Sequence, residues 1–275
     1  MEGSVSGLTK SSRAMVNSYV NEGGTLILTG TYGTKDVNWL NSVFSWDVTS
    51  VGCSSIGLNE ENAAGTVFET SAPTVDCPSA TDHINCGSTP CIPIYGTATK
   101  TAVAIFAHGA GSVIYIGFDY YNTGFAVDVG AGVHRNCARR TDAFVSTVLP
   151  LALTAAQARS PQAPPVPPTP PPPPESPSPP PSLEKKVLVY AQPRLLGGGA
   201  GDCSDESANL QSIVQHLINT SPVTIGGDSY DYSDYRVDAS VTRFSDPLLG
   251  EKLSTAAVFL MTEMEGSLSG WGPTA

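Results

Sequence analysis

Six cysteines and four histidines are the side chains with most chemistry to offer, and their spacing limits what they can do. Cys53, Cys77, Cys86 and Cys91 fall within one stretch rich in Ser, Thr, Asn and Gly, while Cys137 and Cys203 stand apart. An even count in such a setting reads as a disulfide framework made in an oxidising compartment. The competing reading is zinc. No C-x₂-C pair occurs, however, and His83 is the only histidine near the cluster. Cys137 and Cys203 are each expected at a helix start just after a strand end, hence on one rim of a sheet. That rim argument pairs them, out of about fifteen connectivities, and leaves the other four to staple the long loop among themselves.

A nucleophile is harder to find. No G-x-C-x-G or G-x-S-x-G elbow occurs. His83, His108, His134 and His216 are scattered, and a triad needs nucleophile and base in contact. His134 precedes the closing helix of the first part, at a strand-end rim; His216 falls mid-helix, a structural or solvated position. Gly197-Gly198-Gly199-Ala200-Gly201 precedes a predicted helix and could cradle a phosphate. It lacks the Gly-Lys-Ser/Thr and G-x-G-x-x-G patterns, so a flexible loop is the plainer reading. Asp228, Asp231 and Asp234 recur at three-residue spacing among Tyr230, Tyr232 and Tyr235. Carboxylates suit calcium, but the spacing is not that of an EF-hand, and a solvated acidic loop fits as well. No catalytic, cofactor-binding or metal residue is assigned.

Modification sites are easier to name. Fourteen of the 23 residues from Ser160 to Ser182 are proline. Proline fixes φ and lacks an N–H, so neither helix nor sheet continues through such a tract. It is expected to adopt polyproline II, spanning roughly 70 Å at about 3.1 Å per residue. The run Pro170, Pro171, Pro172, Pro173, Pro174 and the segment Ser176-Pro177-Ser178-Pro179-Pro180-Pro181 resemble the hydroxyproline-rich glycoproteins of plant and algal cell walls, such as extensins and pherophorins. The resemblance implies hydroxylated prolines and O-linked sugars on Pro170 to Pro174, Ser176, Ser178, Pro179, Pro180 and Pro181. Asn219-Thr220-Ser221 is the one N-glycosylation sequon, with Asn219 as acceptor.

These residues need elements to hold them. Apolar spacing predicts a helix over 8–20, ended by Gly23-Gly24, a buried strand over 25–30 and a short helix over 36–44. The stretch 49–93 reads as loop with short strands such as 66–69. A hairpin over 102–118 and a closing helix over 138–153 complete the first part. After the tract come a strand over 186–191, a helix over 204–218 with Ser204 as cap, an acidic segment over 228–240 and a strand over 256–261.

Residues 1–7, Met-Glu-Gly-Ser-Val-Ser-Gly, reappear at 264–270 with one change, Val to Leu. The repeat predicts that the chain is one window of a longer tandem array, opening and closing inside a domain. Residues 1–155 are then the rear part of one α/β domain, 160–182 the linker and 183–275 the front part of the next. On this reading the two parts need not pack on each other, and each is completed by an adjacent copy of the chain. Joined in that order, strands and helices alternate, which predicts a three-layer α/β domain with a mainly parallel sheet. Glu263-Met264-Glu265-Gly266 after a strand, Val20-Asn21-Glu22-Gly23-Gly24-Thr25-Leu26-Ile27-Leu28-Thr29-Gly30 and Gly111-Ser112-Val113-Ile114-Tyr115-Ile116-Gly117 carry a resemblance to class I glutamine-amidotransferase-like, flavodoxin-like domains of the trehalose-utilisation type. In amidotransferases of that superfamily a Cys follows a strand; the corresponding turn here, near 29–34, holds none.

Acidic groups outnumber basic ones, 25 to 14, for a net charge of −11, which excludes nucleic-acid binding through a basic surface. No run of 18 or more apolar residues suggests a membrane span. The combined reading is an extracellular, cell-surface or matrix protein: catalytically silent domains alternating with glycosylated rods in a fibre. The alternative is a secreted hydrolase or carbohydrate-binding module of the same fold on a Pro-rich stalk.

Overall fold

The computed structural model describes residues 9–30, 34–77, 82–128, 135–157, 185–191 and 203–262. The main sheet holds β1 (Thr25–Thr29), β2 (Thr49–Val51), β3 (His83–Asn85), β4 (Ile92–Thr97), β5 (Lys100–His108), β6 (Gly111–Ile116), β7 (Lys185–Tyr190), β8 (Tyr235–Val241) and β9 (Val258–Met261). The helices that cover it are α1 (Lys10–Asn21), α2 (Lys35–Phe44), α3 (Leu149–Gln157), α4 (Glu206–Thr220) and α5 (Leu249–Ser254).

Across the sheet the order is β8-β7-β9-β1-β6-β5-β3-β2, and β4 also pairs with β5. The first five strands are parallel. The rest extend the sheet antiparallel. Counted from β7 to β9 and then from β1, the parallel strands lie in 2-1-3-4-5 order, that of one common doubly wound sheet. The join that the sequence predicts, β9 beside β1, is present, with Leu26 opposite Phe259 and Ile27 opposite Leu260. Residues 185–262 and 9–157 thus share one sheet, where the sequence reading had each completed by a neighbouring unit.

β1 reads Thr-Leu-Ile-Leu-Thr without alternation because both of its faces are covered. Leu26 and Leu28 pack in one layer with Val16 and Val20 of α1, Trp39 and Leu40 of α2, and Leu253 of α5. Ile27 packs in the other with Leu151 of α3 and Leu210, Ile213 and Val214 of α4. β9 divides the same way, Phe259 to the first layer and Val258 and Leu260 to the second. Each such fully buried side chain stabilises the fold by about 1.5–3 kcal/mol. The result is a three-layer α/β arrangement.

Local chemistry sets the element ends. Thr9 caps α1, its hydroxyl accepting from the Ser12 amide at 3.1 Å. At the other end Gly23 takes φ +115°. The Gly24 amide donates to the Tyr19 carbonyl at 2.9 Å and the Gly23 amide to that of Val20 at 3.1 Å, a Schellman ending. A Cβ on Gly24 would lie 2.3 Å from the Tyr19 ring, so the helix-to-strand junction admits no side chain there.

Several sequence expectations are corrected. Residues 67–70, overlapping the strand expected over 66–69, form a 3₁₀ turn: the Thr66 hydroxyl caps the Phe68 amide at 3.1 Å, and the Phe68 ring is buried in the core. The expected helix 138–153 is broken: a 3₁₀ turn over 138–141 and a π-turn over 144–148 precede α3. Pro150 explains the wide turn, since it lacks an N–H and its ring collides with a carbonyl four residues back. Asp205, not Ser204, caps α4, accepting from the Ala208 amide at 2.8 Å. The acidic segment contains the edge strand β8. Its alternating Tyr235, Val237, Ala239 and Val241 were masked by the neighbouring carboxylates.

Candidate functional site

In an open α/β sheet, ligands bind outside the carboxyl ends of the strands, where the strand order reverses. Here that point lies between β7 and β9, at Tyr190, Ala191, Met261 and Thr262. The Thr29 hydroxyl donates to the Met261 carbonyl at 3.1 Å, and the Ser207 hydroxyl to that of Tyr190 at 3.0 Å. These bonds lock β1, β9, β7 and the start of α4 into one rim. The turn after β1, the loop Gly197–Gly201, the segment Glu263–Gly266 and His134 lie outside the described residues, as does the proline tract with Pro170–Pro174, Ser176, Ser178 and Pro179–Pro181.

Beside this point the rim is heavily cross-tied. Cys137 and Cys203 form a disulfide, Cα to Cα 5.7 Å, joining the segments before and after the proline tract. Asn209 of α4 donates to the Tyr120 carbonyl at 2.6 Å and the Cys203 carbonyl at 2.9 Å. The Asn122 amide donates to the same Cys203 carbonyl at 2.7 Å. Arg139 donates to the Tyr121 carbonyl at 2.6 Å and lays its guanidinium over the Phe118 ring at 5.2 Å. Asp36, Asp119, Asp205 and Glu206 are buried along this rim, and every one has a partner. Sequence reasoning found Cys137 and Cys203 here but missed Asn209 and Arg139, whose partners are backbone carbonyls of a distant loop and leave no local pattern.

The remaining cysteines pair as Cys53–Cys77 and Cys86–Cys91 within the long loop. Asp47 grips the second of these: it accepts from the Ser88 and Thr89 amides and from both hydroxyls, at 2.8–3.1 Å. Those donors hold its carboxyl down to about 2. With all six cysteines oxidised, the chain offers no thiol nucleophile.

The described histidines do not assemble a base. His83 lies in β3, fully buried, and among the described residues neither ring nitrogen has a hydrogen-bond partner. Burial, reinforced by Lys100, pushes its imidazole down to about 4, so it is neutral at pH 7. His108 sits edge-on to Phe44, ring centroids 4.9 Å apart. His216 stacks on Phe125 at 3.9 Å, a structural role for this mid-helix residue. Burial lowers the pKa of both.

The acidic triplet does not converge. Asp228 lies in a short hairpin strand, and Asp231 accepts from the Ser221 hydroxyl at 2.9 Å and the Ser233 amide at 2.9 Å. Asp234 pairs with Lys185 at 2.8 Å. Among the described residues no group of three or more His, Cys, Asp or Glu side chains is placed to hold a metal ion. Asn219 is exposed on the last turn of α4, its side chain accepting from Gln215 at 2.9 Å. A groove of about 490 Å³ at the opposite, amino end of the strands runs between α1 and α5 past Met15, Tyr19, Gly24 and Leu253. Its lining is mixed, with Ser11, Ser18, Glu22 and Ser254 beside the apolar residues.

Among the described residues no helix is long and apolar enough to cross a membrane. The three disulfides are compatible with an extracellular protein. No protein-family model, no curated protein and no solved structure matches the chain.

Proposed function

We propose that the chain is a catalytically silent structural module of an extracellular glycoprotein, an amidotransferase-like α/β globule carried on a hydroxylated, glycosylated proline rod. The observation that carries this reading is the use of all six cysteines as cross-links, one of which ties the two sides of the tract together. Superfamily chemistry at this rim needs a free thiolate, and here the cysteines on it are spent on holding the strand-end loops. Glycans on the rod and on Asn219 would keep such globules apart and hydrated in a surface matrix. The test is mass spectrometry of peptide 160–182 and of the Asn219 peptide from the native source. Hydroxyproline with pentose or hexose additions is the expected result. Unmodified Pro and Ser throughout would remove the glycoprotein reading.

A second reading has one observation in its favour. The strand order reverses between β7 and β9, where doubly wound folds place ligands. A hydrolase or carbohydrate-binding module would use that crevice. Binding of a panel of wall oligosaccharides, lost on substituting rim residues such as Thr262, would favour it over the structural role.

A further inference from the structure

We infer that β8 is a docking edge for a second copy of this chain: two β8 strands pair antiparallel about a twofold axis through Val237 and join two sheets into one. β8 ends the sheet, and among the described residues no strand lies beyond it. The Lys185 amide donates to the Asp234 carbonyl at 3.2 Å, and the parallel register continues from Tyr235 opposite Lys185 to Asp238 opposite Leu188. Backbone groups alternate sides along a strand, so those of Asp234, Arg236 and Asp238 face β7 and those of Val237 face outward. Both ends of this edge are closed. The Tyr235 amide is taken by the Tyr232 carbonyl at 3.0 Å, and the register shifts after Asp238, whose carboxylate accepts from the Ser240 amide at 2.9 Å. Irregularities of that kind blunt an edge. The middle stays open, and a groove of about 550 Å³ runs beside it, lined by Gln215 and Ile218 of α4 and by residues 233–237.

Charge selects the occupant and its register. With the axis through Val237, the two Val237 residues exchange both of their N–H···O=C bonds. Arg236 of each copy then stands opposite Asp238 of the other, in the pairs whose side chains approach most closely. Moving the axis by one residue reverses this. An axis through Arg236 sets Arg236 against Arg236 and Asp234 against Asp238, and one through Asp238 sets Asp238 against Asp238; like charges directly opposite are destabilising. Within the open stretch 236–238, the Val237 axis alone brings opposite charges together, and it does so twice. Arg236 is exposed, and Asp238 already holds Lys186 at 2.8 Å, so the arginine of the other copy meets a carboxylate fixed in place. Val237 packs against the core layer that contains α4, so the pairing sets two valines side by side at the groove next to Ile218. An antiparallel strand at the edge of a parallel sheet is an ordinary addition. The ladder is short, which puts the contact in the weak class below about 1,200 Å². It suits copies held close together, and being isologous it closes at two.

The test uses the full, oxidised chain 1–275 made in bacteria, because Gln215 donates to Asn219 at 2.9 Å and the sequon therefore adjoins the groove. Sedimentation equilibrium between about 1 µM and 1 mM should show a monomer–dimer equilibrium with no larger species. Hydrogen exchange read amide by amide should slow at Val237 at least about tenfold from dilute to concentrated chain, while Arg236 and Asp238, which face β7, stay unchanged. Arg236→Glu should weaken the dimer at least about tenfold, and Arg236→Lys should leave it within about threefold. Val237→Pro removes the outward N–H without touching the β7 ladder and should abolish the dimer, with circular dichroism reporting whether the fold is kept. Where that variant does not fold, the Arg236 pair and the Val237 exchange decide. A chain that stays monomeric at the highest concentration overturns the inference. So does a dimer unchanged in Arg236→Glu, or a Val237 amide already protected at the lowest concentration. Bacterially made chain carries neither hydroxyproline nor glycan, so this result stands apart from the glycoprotein test.

Discussion

His83 is the residue whose burial has the clearest consequence in solution. Its folded pKa, about 4, lies below the ordinary 6.5, so the unfolded chain binds the proton first. Stability from this residue is therefore complete above pH 6.5 and lost as pH falls from about 6.5 to about 4, by up to about 3 kcal/mol. His108 and His216 are shifted the same way and add to that slope. Asp238, held down to about 2 largely by Lys186 and Ser240, acts lower: its contribution fades as pH falls from about 3.8 toward 2. A His83→Phe variant should flatten the thermal-stability profile between pH 6.5 and 4, measured by calorimetry; an unchanged slope would refute the assignment. Gly24 offers a steric counterpart. Gly24→Ala should cost about 1–3 kcal/mol in denaturant unfolding, because the new methyl meets the buried Tyr19 ring.

Among the elements, α4 and β9 carry the most. Asp205 caps α4 at the rim, so Asp205→Ala should destabilise by about 1–2 kcal/mol while Asp205→Asn keeps most of the cap. Urea titration of the two variants separates the lost hydrogen bond from the lost charge. β9 is only four residues long, yet all four are buried and it has a strand on either side. Leu260→Ala should therefore cost about 2–5 kcal/mol and loosen both halves together. Hydrogen exchange in that variant should accelerate in β1 and β7 alike; protection retained in either strand would contradict the shared core.

For the whole molecule, the dependence of the halves on each other has a direct readout. Residues 1–159 and 183–275 produced as separate chains should each lack cooperative unfolding, since each leaves parallel strand edges and apolar faces uncovered. Mixed, they should regain a single transition and the Cys137–Cys203 link. A fragment that melts cooperatively on its own would show that its layer closes without the other.

By itself the sequence determined the parts whose signal is local. The apolar run of β1, the glycine ending of α1, the hairpin of β5 and β6 and the strand β7 could be read from consecutive residues, because propensity and periodicity act over one or two turns. The alternation of strands and helices then implied a parallel sheet in three layers, and the rim argument paired Cys137 with Cys203. Tertiary structure decided what depends on distant partners. β8 becomes a strand because β7 offers an edge to an acidic segment whose polar face can stay in water. Asn209 and Arg139 become rim ties only because the fold brings the 119–124 carbonyls to them. His83 becomes a neutral core residue because β2 and β5 enclose its strand. Such roles are set by packing between residues tens of positions apart, and no window of the chain contains both sides of the contact.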